Sequence, residues 1–291
     1  MQIVYHLGAH VTDEALLVQC LEKNAERLAQ DGIALSPPDR FRAPLAEALS
    51  ALRAGPISEE LETLLIDALI DEDDAQRVVM SVDSFLCPAN QVLGDNRLYP
   101  KAGERIAQFR DIFPSKEVEF HFALRNPATF LPALATRAKA SPFQSFIDRV
   151  DPMVLRWSDV VERMAAAAPD CRLVVWCNED TPLIWPEVLR EVSGHDPATR
   201  LKGTHRLLER IMTREALNRL MGYLDDHPPK NETQRRHIVA AFLDRFALED
   251  EMEMELGDTG WTAEYVDALS AAYDEDVHRI ECMAGVTFIA P

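Results

Sequence analysis

Residues able to do chemistry gather first in the stretch His6-Leu7-Gly8-Ala9-His10-Val11-Thr12-Asp13-Glu14-Ala15. It follows an apolar run, Gln2 to Leu7, and leads into a helix-start signal at Thr12-Asp13-Glu14. A strand, a glycine turn and a helix start bring unpaired N–H groups and positive dipole potential to one point, where an α/β sheet binds phosphate. His10 is placed to act as a catalytic base. Its other reading is a structural histidine packed under the turn, an apolar body with a polar tip. A metal site would need a third ligand beside His6 and His10, and none lies nearby in the sequence.

Two further positions carry charge at the ends of expected strands. Asp83 follows the apolar run Arg77 to Val82 and is a second candidate base, or a cap for the next element. Arg125, in Leu124-Arg125-Asn126-Pro127, can grip a phosphate through a bidentate contact or pair with a carboxylate of this acidic chain. The segment from Arg200 to Arg206, continuing to Arg210 and Arg214, is the most basic in the chain. It reads as a helix face balancing nearby acid, or as a patch for an anionic ligand. Glu249 to Glu255 is the acidic counterpart and reads as a solvated strip. The sequence has no Ser–His–Asp spacing, no G-x-S-x-G elbow and no G-x-x-x-x-G-K-[ST] loop.

The elements that must position these residues alternate. Strands are expected near residues 2–7, 77–82, 118–124 and 171–177, parallel in one sheet. Helical spacing runs between them, at 17–31, 42–54, 57–72, 101–113 and 151–168, with Pro127 opening another helix. Beyond Pro186 the pattern is almost wholly helical, at 186–193, 204–226, 231–249 and 262–284, with a last extended piece at Val286-Thr287-Phe288. Ile33-Ala34-Leu35 runs into Pro37-Pro38, which ends regular structure. The fold class is therefore α/β, a three-layer parallel sheet wrapped by helices. We expect one domain over 1–291, with a sheet-bearing part at 1–185 and a helix-rich C-terminal subregion at 186–291.

In that frame the chain resembles the bacterial sulfotransferase-like proteins of the P-loop class. Their entry reads like H-I-G-x-H-K-T-G-T-T, and His6, Gly8, His10 and Thr12 match it. Asn24, Leu28, Gly32-Ile33 and Pro37 match the helix and the "G-I-x-x-P" that follow. Met80 to Phe85 looks like the strand with "S-S-E-x-F", and Leu124 to Pro127 like "L-R-[DN]-P". Leu269, Tyr273 and Asp276-Val277, then Gly285-Val286 and Phe288, look like the closing helix and tail.

The resemblance implies sulfuryl transfer from 3′-phosphoadenosine 5′-phosphosulfate (PAPS) to an alcohol or amine. It further implies that Gly8, Ala9, His10 and Thr12 cradle the phosphosulfate, that Arg125 holds the 3′-phosphate, and that His10 or Asp83 removes the acceptor proton. The chain departs from the pattern inside the turn. Val11 stands at the lysine position, Asp13 at the glycine, Glu14 and Ala15 at the two hydroxyls, and Ala133 at the serine that would join Arg125. Two functions follow: a transferase acting on a small-molecule acceptor, or a non-catalytic sulfotransferase-fold module that binds a ligand or a protein partner.

Composition narrows the classes. The 30 Lys and Arg against 49 Asp and Glu leave a net charge of −19. Such a chain is a poor partner for the phosphate backbone of nucleic acids and for anionic lipid surfaces. Five cysteines without a C-x-x-C pair fit a reducing compartment and no structural zinc. The start has no basic segment and no long apolar core, and no stretch reaches the ~20 apolar residues of a membrane span, so the expected location is the cytoplasm.

Overall fold

A computed structural model describes residues 1–13, 15–72, 74–148, 150–248 and 256–291. Along the chain lie β1 (Gln2–His6), α1 (Leu16–Glu22), α2 (Ala25–Gln30), β2 (Ile33–Ser36), α3 (Pro38–Leu52), α4 (Glu59–Leu69) and β3 (Arg77–Ser81). A small hairpin, β4 (Leu93–Gly94) and β5 (Arg97–Leu98), precedes α5 (Ala102–Ile112), β6 (Glu117–Leu124), α6 (Pro127–Arg137) and α7 (Phe143–Ile147). Then come α8 (Trp157–Ala167), β7 (Arg172–Cys177), α9 (Thr181–Ser193), α10 (Arg206–Ile211), α11 (Arg214–Asp226), α12 (Glu232–Phe246), α13 (Ala263–Glu281) and β8 (Val286–Ile289).

Six strands form one parallel sheet in the order β2-β3-β1-β6-β7-β8. The four strands expected from the sequence are its centre. Strand β2 was not expected, because four residues before a proline pair carry little pattern; its pairing with β3 makes it an edge strand. Alternation sorts the side chains. Ile3 and Tyr5 share one face with Val78, Met80, Phe120 and Phe122, under α3, α5 and α8. Val4, Val79, Val174 and Trp176 face the other way, under α1 and α9. The molecule is thus α/β with a helical layer on each side of the sheet, because parallel strands joined by crossover helices must bury both faces.

Helix boundaries moved where a polar side chain had a better partner than the helix. The first expected helix breaks between α1 and α2 at Asn24. Its carboxamide donates to the carbonyls of Cys20 (2.7 Å) and Lys202 (3.0 Å) and accepts from the Lys202 N–H (2.8 Å). The expected helix 204–226 breaks at Met212, where Thr213 caps α11 by accepting from the Ala216 N–H. Helices α10 to α12 close a satellite core around Met212, Leu217, Leu220 and Val239. Glu187 on α9 holds them to the sheet through Arg235 and Arg236, each at 2.8 Å. Helix α13 returns to the main body, where the Asp276 carboxylate accepts from the Ser158 N–H and hydroxyl at the start of α8. The acidic strip at 249–255 lies outside the described residues. No helix among the described residues is long and apolar enough to cross a membrane.

Candidate functional site

Strand β1 lies centrally, between β3 and β6, where the strand order reverses. Open α/β sheets bind ligands outside the carboxyl ends of such strands. The β1 ladder continues past His6, with Leu7 N–H donating to the His121 carbonyl (2.8 Å) and Ala9 N–H to that of Ala123 (3.0 Å). Gly8 sits at φ +49°, a left-handed conformation that favours glycine, and a Cβ there would crowd the Thr12 hydroxyl at 3.3 Å. Thr12 closes the turn by donating to the Ala9 carbonyl at 2.9 Å.

Asp13 caps α1. One carboxylate oxygen accepts from the Ala15 N–H (3.2 Å) and the other from the Leu17 N–H (3.1 Å). Two of the N–H donors at this helix start, those of Ala15 and Leu17, are taken by the protein's own carboxylate. Glu14 lies outside the described residues.

Arg125 reaches back to the same turn. Its guanidinium donates to the carbonyl of Val11, a β-branched residue at φ +55°, and its Nε donates to the Thr129 hydroxyl at 3.1 Å. Its own carbonyl accepts from the Trp157 indole N–H (2.8 Å). Arg125 therefore braces a left-handed turn residue whose conformation is costly for valine. Replacing Arg125 by Leu is expected to lower the stability of the ligand-free protein by about 2 kcal/mol, the worth of a charge-assisted bond to a carbonyl that then loses its partner. Urea unfolding of the two proteins measures this; equal midpoints would show that the brace contributes nothing.

His10 is 1% exposed. Its backbone N–H donates to the Tyr99 hydroxyl (2.9 Å), and its Nδ1 lies 2.8 Å from the same oxygen. Burial lowers the pKa of His10, a shift that Asp83 partly opposes. Asp83 pairs with Arg137 at 3.1 Å, near the surface. Of the residues singled out from the sequence, Gly8, Thr12 and Asp83 come together on the wall of one cleft of about 440 Å³. Ala9 and His10 do not line it. Arg125 lines a separate cleft of about 400 Å³ that also contains Ala133.

The shared cleft also contains His6, which the sequence offered as a metal ligand and as a match to the family's entry, and Ser81, Arg42 and Arg137, which it did not single out. His6 is 3% exposed, stacks at 8° on Trp176, and holds its Nδ1 2.8 Å from the Ser81 hydroxyl. Its Nε2 is buried and has no hydrogen-bond partner among the described residues. Burial lowers the His6 pKa, while the carboxylates of Asp13 and Asp83 pull it the other way. The period of two was the available signal: Ser81 is the register partner of His6, so residues i and i+2 of each strand share the face that ends in this cleft. Among the described residues no three His, Cys, Asp or Glu side chains converge as a metal site. Comparison with known proteins yields no match to a family model, a curated protein or a solved structure, so the reading of this site rests on its own geometry.

Proposed function

We propose that this chain is a sulfotransferase-like α/β protein that serves as a binding module and does not carry out PAPS-dependent transfer. The observation that carries the reading is the Asp13 carboxylate seated on the Ala15 and Leu17 N–H groups at the start of α1, where the resemblance would put the phosphosulfate. The residues present do not fit that cofactor. Val11 offers no cation, the Arg125 guanidinium is turned onto the Val11 carbonyl, and Ala133 offers no hydroxyl beside it. A second anion at the turn would meet Asp13, and like charges ~4 Å apart repel by about 4 kcal/mol at an effective dielectric near 20.

Calorimetric titration with 3′-phosphoadenosine 5′-phosphate, the nucleotide product of PAPS reactions, tests the proposal. The expected result is no saturable binding below the ~mM range, equivalent to about 4 kcal/mol or less. Micromolar binding would restore the transferase reading.

A further inference from the structure

We propose that Ser81 is a nucleophilic hydroxyl served by His6 as its base, at the end of a buried chain Ser81–His6–His121–Glu119, and that the cleft at the carboxyl ends of β1 and β3 takes a small ester with an uncharged acyl group. This goes beyond the binding reading and does not depend on how the β1 turn treats PAPS.

The chain is argued from its carboxylate outward. Glu119 is paired with Arg77 at 2.7 Å, and a carboxylate can only accept hydrogen bonds. His121 Nε2 lies 3.3 Å from it and is therefore the ring nitrogen that carries a proton. Burial pushes the His121 pKa down to about 4, so at neutral pH the ring is uncharged and its Nδ1 keeps a lone pair. That Nδ1 is buried and has no partner among the described residues, and the same is true of His6 Nε2.

The two orphaned nitrogens belong to neighbours. His6 and His121 are register partners on β1 and β6, so their side chains leave the same face of strands about 5 Å apart. A charge on His6 is felt by His121. Nearly all buried polar atoms are hydrogen-bonded, and here each nitrogen can supply what the other lacks. His6 Nε2–H is the donor and His121 Nδ1 the acceptor, directly or through one trapped water. The opposite polarity would turn a lone pair of His121 onto the Glu119 carboxylate.

With its proton on Nε2, His6 presents Nδ1 as an acceptor, 2.8 Å from the Ser81 hydroxyl. That hydroxyl has no other partner among the described residues, and it therefore donates to His6. A hydroxyl on a histidine that is itself oriented by further groups is the arrangement of an activated nucleophile. The parallel stack on Trp176 fixes the ring. Burial lowers the His6 pKa, which leaves the ring free to accept, while Asp13 and Asp83 favour the charge it then takes up.

The open end of the chain meets the cleft of about 440 Å³, which Ser81 and His6 both line. In the continued β1 ladder the N–H groups of Leu7 and Ala9 turn to β6, so alternation turns that of Gly8 to the β3 side, where Ser81 ends its strand. It has no acceptor among the described residues and can meet an oxyanion formed at Ser81. Val11, Val18, Pro38 and Val82 offer contact to a short carbon chain, and Asp13 and Asp83 disfavour an anionic one.

The step is an acyl transfer. Ser81 Oγ attacks the ester carbonyl carbon as its proton passes to His6 Nδ1. The ester C–O bond then breaks, and the departing alcohol takes that proton. Water releases the acyl group from Ser81 by the same path, giving a carboxylic acid and restoring the hydroxyl. Ser81 and His6 are the catalytic pair, and His121 and Glu119 are positioning residues.

The test treats the full chain at about pH 7.5 with p-nitrophenyl butyrate and, separately, with an alkyl fluorophosphonate. Release of p-nitrophenol and one phosphonyl group per chain, mapped to Ser81 by peptide mass, are expected. Ser81→Ala, with its fold checked by circular dichroism, should lose both. His121→Leu should slow labelling about tenfold or more. In the unsubstituted protein, ¹⁵N chemical shifts should show both His6 and His121 with the proton on Nε2. That readout needs no variant to fold, and packing alone would not fix it.

Absence of labelling at Ser81 overturns the proposal. So does labelling confined to other residues, release of p-nitrophenol that survives in Ser81→Ala, an unchanged rate in folded His121→Leu, or a His6 proton on Nδ1. The adenosine bisphosphate titration bears on the proposed function alone. A protein silent to both nucleotide and fluorophosphonate fails this inference only.

Discussion

Replacing Glu119 by Leu is expected to lower the free energy of unfolding by about 3–5 kcal/mol, the cost of leaving a buried charge without its partner. Glu119 on β6 meets Arg77 on β3 at 2.7 Å, with only 10% and 9% of their side chains exposed. Arg77 bridges the sheet to α9. It donates to Gln2 Oε1 (2.6 Å) on β1, and to the carbonyls of Val192 (3.2 Å) and Glu191 (3.0 Å) near the end of α9. Gly194, just past that helix, leaves room for the arginine: a Cβ there would lie 2.8 Å from Arg77 Cδ.

Without Glu119 the guanidinium keeps three neutral acceptors and loses its only close counter-charge among the described residues. The double change Glu119→Leu with Arg77→Met removes both charges. It is expected to recover part of the loss, since a buried pair replaced by apolar groups is often near neutral. Urea unfolding of the single and double variants checks this. A loss under about 1 kcal/mol in the single variant would show that water or backbone carbonyls already satisfy Arg77.

The second large effect is acid sensitivity centred on His121. This residue is fully buried on β6, beside Glu119 and in register with His6. Burial pushes its pKa from 6.5 down to about 4, against the opposing pull of the Glu119 carboxylate. The unfolded chain therefore takes up the proton first. Stability is full above about pH 6.5 and falls as the pH drops toward about 4, by about 3 kcal/mol for this group.

A second limb follows at lower pH. Burial raises the pKa of Glu119, but hydrogen bonds from His121 and Arg77 and the Arg77 charge outweigh it and hold the carboxyl at about 2. Its stabilising contribution is present above about pH 4.5 and is lost as the pH falls toward about 2. The two groups share a hydrogen bond at 3.3 Å, so their effects do not simply add. Unfolding midpoints measured from about pH 7.5 to 4.5 should fall steeply in the unsubstituted protein and less steeply in His121→Leu. Parallel slopes would mean that His121 is not the group taking up the proton.

The candidate site was legible in part. The turn after β1 could be found because Gly8 between two histidines, followed by Thr12 and Asp13, carries a strand-to-helix signature in consecutive residues. That Asp13 favours a helix start follows from the dipole alone, and its carboxylate indeed accepts from the Ala15 and Leu17 N–H groups where α1 begins. What His10 and His6 face could not be read. Tyr99, the partner of His10, is 89 residues away along the chain, and Ser81, the partner of His6, is 75 away. Nothing in the local spacing tells that each histidine holds its Nδ1 against a hydroxyl from a distant part of the chain.

The amino-acid sequence by itself determined the alternation of short apolar strands with amphipathic helices, and from it the parallel sheet covered on both faces. Those are local properties: side-chain period, glycine and proline punctuation, and the burial that continuous apolar runs demand. Tertiary structure alone decided which polar groups meet. The register of β1 against β3 and β6 sets His6 beside Ser81 and His121. Arg125 folds back onto a turn formed more than a hundred residues earlier, and Arg77 joins Glu119 across the β1 strand that lies between them. Such pairings depend on strand order and on distances of a few ångströms in space, and hydrogen bonds and ion pairs are made or lost on that scale.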